Sequence, residues 1–399
     1  MNNKRVDCCQ QHAIAKANEA PARVLQIDFP IRDSHLGLGL CPLSAMGAFG
    51  FWSPIVVGVP FVAVFIGIFI RGVHYLDLNK RVYNQVPGDC STVSSFQDGI
   101  FDAELTFQKL ILLSTGHKIQ NASYEPAAMF LYNASSKQAW KLNVGKKRFK
   151  ALDAWNPEGI SLIKTTLMAV NRVENGTSIE IFTLNEEKKS MKHKKTVKDP
   201  LIYNVGDVAA IGPKTFYFTA SYFCEHPTFK KIEWFLNTRN GFVGFYDGKT
   251  VKKVMEGISS PTGVLFDRSR KLLFVSSFTD QAILIYNADE NGKVSFKKRI
   301  DLFVSPMLFS FDENFDLILA TQPLKFKYYY YETTPFGFFA PSTVLKIRYK
   351  KGKTRVTQFY SNDGATISGV AIALKTNEEL LLANSNSMVL SCKIAPPQK

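Results

Sequence analysis

The sequence predicts an all-β protein, a six-bladed β-propeller, carried behind a single N-terminal transmembrane helix. Three observations lead there. Residues 36–70 hold no charged side chain. From Cys90 to Ile394, short apolar runs alternate with Gly, Asn and Asp turns. Within that second part a strand pattern repeats at a regular spacing.

The uncharged run contains IVVGVPFVAVFIGIFI at 55–70. With Phe49, Phe51 and Trp52 it makes about 22 apolar residues, enough to span a bilayer. Trp52 lies near one edge and Arg71 ends the other. A cleaved signal peptide does not fit, because a long tail precedes the run and no small-residue cleavage site closes it. The expected layout is therefore a cytoplasmic tail at 1–47, a signal anchor at 48–70, a juxtamembrane linker at 71–89 and the propeller at 90–399.

Orientation draws on opposing signals. Sequons at Asn121, Asn133 and Asn175 place the part after the span in the secretory lumen or outside. Arg71, Lys80 and Arg81 follow the span closely and favour the reverse. Cysteine usage sides with the sequons. Cys90 and Cys392 stand at the two ends of the large domain, where a bridge would tie first strand to last, and Cys224 is left over. Cys8 and Cys9 read as ordinary thiols rather than palmitoylation sites. The expected protein is a single-pass type II membrane glycoprotein of the endoplasmic reticulum or plasma membrane.

The repeat sets the blade number. PEGISLIKTTLMAVNRVENGTSIEIFTL begins at Pro157, PTGVLFDRSRKLLFVSSFTDQAILIYN at Pro261 and ISGVAIALKTNEELLLANSNSMVLSCKI at Ile367. Gly159, Gly263 and Gly369 are about 105 residues apart, two units of about 52, with weaker copies from Val205 and Met307. A strand-only repeat of this length means propeller blades, and the domain holds six.

The net charge of +15 is concentrated in KKRFK (146–150) and EEKKSMKHKKTVK (186–198). No zinc-finger spacing or nucleic-acid motif accompanies them, so solvated loops are expected, with His193 solvated too. Only His117, His193 and His226 lie in the propeller region, too few for a histidine-based metal site. There is no G-x-S-x-G elbow and no P-loop. Cys224 beside Glu225 and His226 is a weak nucleophile candidate, since sequence neighbours seldom face one another on a strand. One carboxylate is framed unusually: in AWNPEGIS (154–161), Glu158 sits between a proline and a glycine, a frame that aims its side chain.

An ordered set of segments resembles the paraoxonase/arylesterase family of calcium-dependent six-bladed lactonases. They are FDAEL (101–105), LSTGHK (113–118), WNPEGIS, TSIEIFTLNEE, VGDVAAIGP with FYFT, MEGISSPTGV, STVLKI and the closing LSCKI. The match covers nearly all of 90–394. A membrane-anchored nematode branch is similar in layout, and its best-known member is an accessory protein and chaperone of the touch-receptor degenerin channel.

The resemblance implies two calcium ions in the central tunnel. For the deep, structural ion the matching positions are Asp102, the main-chain carbonyl of Ile160 and Asp207, all acceptable hard oxygen ligands. The upper, catalytic ion is held in the family by a Glu, three Asn and an Asp. Here those positions are Phe101, Gly206, Thr262 and, on or next to them, Pro306 and Met307. Ca²⁺ needs six to eight oxygens, which this set does not supply from side chains. The family's histidine base and its orienting histidine are Glu158 and Arg172. Either an ion pair between them at the tunnel mouth, with the carboxyl held low by the guanidinium, or two separately solvated rim charges is expected.

The resemblance thus implies one structural Ca²⁺, no catalytic residue and a degenerate lactonase site. The implied role is chaperone or accessory subunit of a membrane protein, such as a degenerin-type ion channel. An active calcium-dependent arylesterase or lactonase is the alternative. Two further surfaces stand out. PTFKKIEWFLNTRNG from Pro227 reads as a short helix packed on the propeller, with Phe229, Ile232 and Phe235 on one side. In KYYYYETTPFGFFAP (327–341), Tyr328–Tyr331 match a family strand, and the Phe336–Phe339 loop is aromatic.

Overall fold

The computed structural model describes residues 49–93, 96, 99–116, 127–145, 155–173, 176–334, 338–385 and 388–394. The chain divides into two units, 1–72 and 73–399. Helix α1 (Phe49–Tyr75) lies mostly in the first and runs past the expected stop at Arg71. At 1.5 Å per residue its 27 residues reach about 40 Å. Val59, Phe61, Phe65, Ile68 and Phe69 are all exposed, as lipid-facing side chains are.

The second unit is the propeller. Its six sheets are blade 1 (102–141), blade 2 (157–197), blade 3 (205–258), blade 4 (261–301), blade 5 (305–362) and blade 6 (370–393). The strands of each blade pair antiparallel in sequence order, innermost first. Two additions break the regularity. Asn143–Val144 adds a short parallel strand to blade 2. Cys90–Thr92 adds the outermost strand of blade 6, with Cys90 opposite Cys392 and the two bonded as a disulfide. That strand closes the ring. The other cysteine after the span, Cys224, is also disulfide-bonded rather than left over, which removes it as a nucleophile.

Blades bury both faces, and this explains the continuous apolar runs of their middle strands. Ile111–Thr115, Phe216–Ala220 and Leu272–Ser277 are buried at every position. A separate apolar cluster fills each gap between neighbouring blades. Leu112, Ile160 and Phe182 join blades 1 and 2, and Ile100, Leu113 and Leu381 join blades 6 and 1. Outer strands behave differently. The lysine-rich Ser190–Val197 is an outer strand of blade 2 rather than a loop, covered by Asn143–Val144 only at Ser190 and Met191, with Lys192, Lys194 and Lys195 exposed beyond that cover. Lysines there protect an open edge from pairing with another chain. His193, on the same strand, is not solvated: its Nε2 lies 2.9 Å from the buried Glu180 carboxylate.

One irregularity recurs and positions the site. The pairing of the innermost strand with its neighbour shifts register between Pro157 and Ile160, Val205 and Val208, Pro261 and Val264, and Pro306 and Phe309. Each bulge turns side chains at the strand start into the tunnel. The repeating glycines follow from this. A Cβ on Gly159 would come 2.8 Å from the Asp207 Cα, and one on Gly263 would come 2.7 Å from the Met307 carbonyl. The innermost strands of successive blades therefore meet backbone to backbone.

The segment after α1 is held against the propeller. Asp77, 1% exposed, accepts from Gln281 Nε2 at 2.9 Å and from the Lys325 amide at 3.2 Å, and pairs with Lys80. The Lys325 ammonium lies 4.2 Å from the Tyr75 ring centre.

Candidate functional site

Asp102 and Asp207 lie at the starts of the innermost strands of blades 1 and 3, 4% and 5% exposed, and the charge of Asp102 is felt at Asp207. Asp102 accepts from the Ala103 amide at 2.8 Å and the Ile160 amide at 2.7 Å. Asp207 accepts from the Val208 and Val264 amides at 2.7 and 2.9 Å. The three residues expected at the structural ion are thus brought together, and Ile160 meets Asp102 through its amide.

Burial pushes the Asp102 carboxyl up to about 7. Asp207 is raised well above its usual value, by burial first and then by the charge of Asp102. Glu104, which the sequence reading passed over, is pushed up to about 8 by burial and by Asp102. Its signal was present, one turn of strand alternation after Asp102 on the same face. Carboxylates crowded in a low-dielectric tunnel repel one another, and a hard divalent cation relieves that repulsion. The donor chemistry fits calcium. Among the described residues no group of three or more His, Cys, Asp or Glu is gathered around one point, so carbonyls and water would have to complete the shell.

The upper positions are occupied differently. Gly206 packs so closely that a Cβ would sit 2.7 Å from the Thr262 carbonyl. The Thr262 hydroxyl donates to the Pro306 carbonyl at 3.0 Å, while Thr219 donates to the Thr262 carbonyl at 2.7 Å. Ser221 and Ser276 donate to the Pro261 and Met307 carbonyls. Hydroxyls of the protein itself therefore engage the oxygens at the tunnel mouth.

Glu158 and Arg172 meet as expected. Arg172 Nε lies 2.8 Å from Glu158 Oε2, and the guanidinium also donates to the Val205 carbonyl. The expected direction of the Glu158 carboxyl is overturned. Its pKa is raised, because burial outweighs the opposing pull of Arg172. Glu158 is 8% exposed, so it is a tunnel-wall group rather than a rim charge.

Two helices roof the mouth. Helix α2 (Pro227–Leu236) is capped by His226, whose ring accepts from the Thr228 amide, and it ends at Asn237 in the left-handed region. Trp234 is buried, but Phe229, Ile232 and Phe235 stay exposed, so the face expected to pack on the propeller points outward. Helix α3 (Lys325–Thr333) replaces the strand expected at Tyr328–Tyr331. Tyr329 stacks on Trp234 at 5.0 Å, and Tyr328 lies 5.5 Å from Phe278. Residues 335–337 of the aromatic loop lie outside the described residues, while Phe338 and Phe339 are exposed.

Beneath the roof is a cavity of about 460 Å³. Arg172, Thr262 and Met307 form its floor; Tyr222, Lys230, Trp234, Tyr328 and Glu332 line its walls and roof. This size suits a small ligand. No local sequence pattern marks this group of wall residues, because they come from separate blades and from two helices that meet only in the fold.

Of the sequons, Asn133 begins the turn between Ala128–Asn133 and Gln138–Lys141, where its side chain accepts from the Ser135 and Ser136 amides. Asn121 and Asn175 lie outside the described residues, as do the tail 1–47 and His117.

The family model described as Arylesterase matches residues 62–394. Mechanosensory abnormality protein 6 of Caenorhabditis elegans is 26% identical over 341 residues, covering 80% of this chain and 90% of that protein. Serum paraoxonase/lactonase 3 of Homo sapiens is 26% identical, covering 84% of this chain and 99% of its own length. Serum paraoxonase/arylesterase 2 of Bos taurus is likewise 26% identical, covering 77% and 89%. Among solved structures, a luciferin-regenerating enzyme superposes with a TM-score of 0.50 at 11% identity, over 77% of this chain and 95% of that one, a likeness of fold alone.

Proposed function

The chain belongs to the arylesterase family, and from that premise we propose that it is a membrane-anchored, paraoxonase-like accessory protein or chaperone of another membrane protein, an ion-channel subunit being the favoured partner. In this reading the tunnel keeps one structural calcium, with Asp102, Asp207 and main-chain oxygen as ligands, and does not hydrolyse esters. The observation that carries it is the tunnel mouth. Where the family holds its catalytic ion and histidine base, this chain has Phe101, Gly206, Thr262, Pro306 and Met307, with Glu158 locked to Arg172. Phe101, Gly206, Thr262, Pro306 and Met307 offer no side-chain carboxylate to an ion that would polarise a lactone carbonyl, and the carboxylate of Glu158 is engaged by Arg172. Similarity to the nematode mechanosensory protein supports the accessory role.

In this reading the protein has type II orientation, with the propeller in the lumen or outside. The Cys90–Cys392 bond suits an oxidising compartment, and the sequons agree. Glycosidase treatment of the protein from membranes is expected to increase its gel mobility; an unchanged mobility argues for the opposite orientation.

The function is tested on the full chain reconstituted in nanodiscs with aryl acetates and lactones. No turnover above empty discs is expected, with calcium or with chelator. Chelator-sensitive turnover overturns the reading in favour of a calcium-dependent arylesterase or lactonase. Affinity purification from native membranes is expected to bring down a channel subunit.

A further inference from the structure

The cavity under α2 and α3 has an unbalanced charge. Arg172, Lys230 and Lys231 line it, against one acidic lining residue, Glu332, among those described. Glu332 is engaged by the Tyr328 hydroxyl. Arg172 has Glu158 behind it, within the tunnel wall. Lys230 is half-buried on the first turns of α2, and no hydrogen bond or ion pair reaches its ammonium among the described residues. Burial and the nearby charge of Arg172 both pull its pKa down, while Glu225, Glu158 and Glu233 act more weakly the other way. Glu158 offsets part of this charge from within the wall, and on the cavity side only Glu332 among the described residues faces the three cations, so the lining keeps a positive excess that a bound anion would relieve.

The rest of the wall is aromatic. Tyr222, Trp234, Phe278 and Tyr328 offer ring faces and edges around the same space, and Met307 lies on the floor. Such a wall takes an apolar body of a few rings or a folded acyl chain, and the volume of about 460 Å³ accommodates it. Planar guanidinium beside a flexible ammonium is a pairing suited to a carboxylate.

We propose that this cavity binds an amphipathic carboxylate, its head between Arg172 and Lys230 and its apolar body against Tyr222, Trp234, Phe278 and Tyr328. The proposal rests on the reading that no catalytic ion occupies the mouth, because the head is then met by the protein's own cations. The ligand is bound and not turned over, so occupancy would brace α2 and α3.

The test is calorimetric titration of the full chain in nanodiscs with phenylpropionate and with its neutral amide, phenylpropionamide, empty discs being the blank. Phenylpropionate is expected to bind at least about tenfold more tightly than the amide, about 1.4 kcal/mol. Lys230→Met is expected to remove most of that difference, while Lys297→Met, on the outer strand of blade 4, leaves it intact. Arg172→Gln is expected to act likewise; because it strips Glu158 of its partner, its thermal melt is recorded alongside. Equal affinity for acid and amide overturns the proposal, as does an unchanged preference in Lys230→Met. Chelator separates this idea from the reading it rests on. Binding that survives chelation supports protein cations as the anchor, whereas binding lost with calcium while the thermal melt shows the chelated protein still folded means that an ion holds the carboxylate and that both readings fail. Turnover of aryl acetates together with chelator-resistant carboxylate binding would sink the accessory reading alone.

Discussion

Replacing both Cys90 and Cys392 with alanine lowers the unfolding free energy by about 5 kcal/mol. The bond joins residues 302 apart, so it removes much of the freedom of the unfolded chain; the chain-entropy account gives about 6 kcal/mol for a loop of that size, and measured losses run to about 5 kcal/mol. Alanine is preferred to serine because Cys392 is fully buried, and a hydroxyl there would add an unsatisfied polar group. The same change loosens the ring, because Cys90–Thr92 then holds the last blade only by its ladder to Leu390–Cys392. Urea unfolding of the full chain in nanodiscs measures the effect. A loss under about 1 kcal/mol would show that the ladder and the apolar contacts of blades 6 and 1 close the ring without the bond.

The second large effect concerns the tunnel carboxylates. Asp102 moves from an ordinary 3.8 to about 7 on folding. A raised carboxyl means that the folded state keeps a proton the unfolded state has released. Stability is therefore highest below about pH 4 as far as this group is concerned, and it falls as pH rises toward 7. The loss from these interacting carboxylates together is on the order of a few kcal/mol, and Glu104 extends the window to about 8. The proposed structural calcium would bind the ionised pair and reverse the trend. The expected result is a melting temperature that drops from pH 5 to pH 8 in chelator and holds when millimolar calcium is present. Asp102→Asn is expected to flatten the chelated profile and abolish the calcium response. Gly159→Ala should abolish the response too, since its methyl group would press on Asp207. Identical melts with calcium and chelator at pH 8 would rule out the structural ion.

Much of the candidate site could be read from the chain because it is built on backbone repeats. Ile160 and Asp207 directly follow Gly159 and Gly206 at strand starts, and the bulges beside them recur at equivalent places in successive blades, while Asp102 opens the innermost strand of blade 1 in unbroken register. The Glu158–Arg172 contact was legible for the same reason: both residues sit on neighbouring strands near one bulge, with the Arg172 amide donating to Asn156 O. The ionisation of Glu158 was not. Its partner was evident, but the sign depended on how much water the tunnel excludes, and burial prevailed over the guanidinium.

What the sequence by itself determined is the repeating part of the protein: an apolar helix ahead of six blades, and a cysteine at each end of the ring. These depend on local periodicity and on residue types whose meaning is local, such as glycine at a tight strand contact. Tertiary structure decided the roof and everything under it. KFKYYYYET has the tyrosines of a strand, yet it forms α3, whose first amide is accepted by Asp77 from 248 residues earlier. Its own N-cap, Leu324, offers no side-chain bond. A cap supplied from so far away, and rings that find Trp234 and Phe278 only after folding, leave no local pattern, so intrinsic strand preference misleads there. The same holds for His193, drawn to Glu180 from an outer strand, and for the cavity wall, which exists only once α2 and α3 lie over the tunnel.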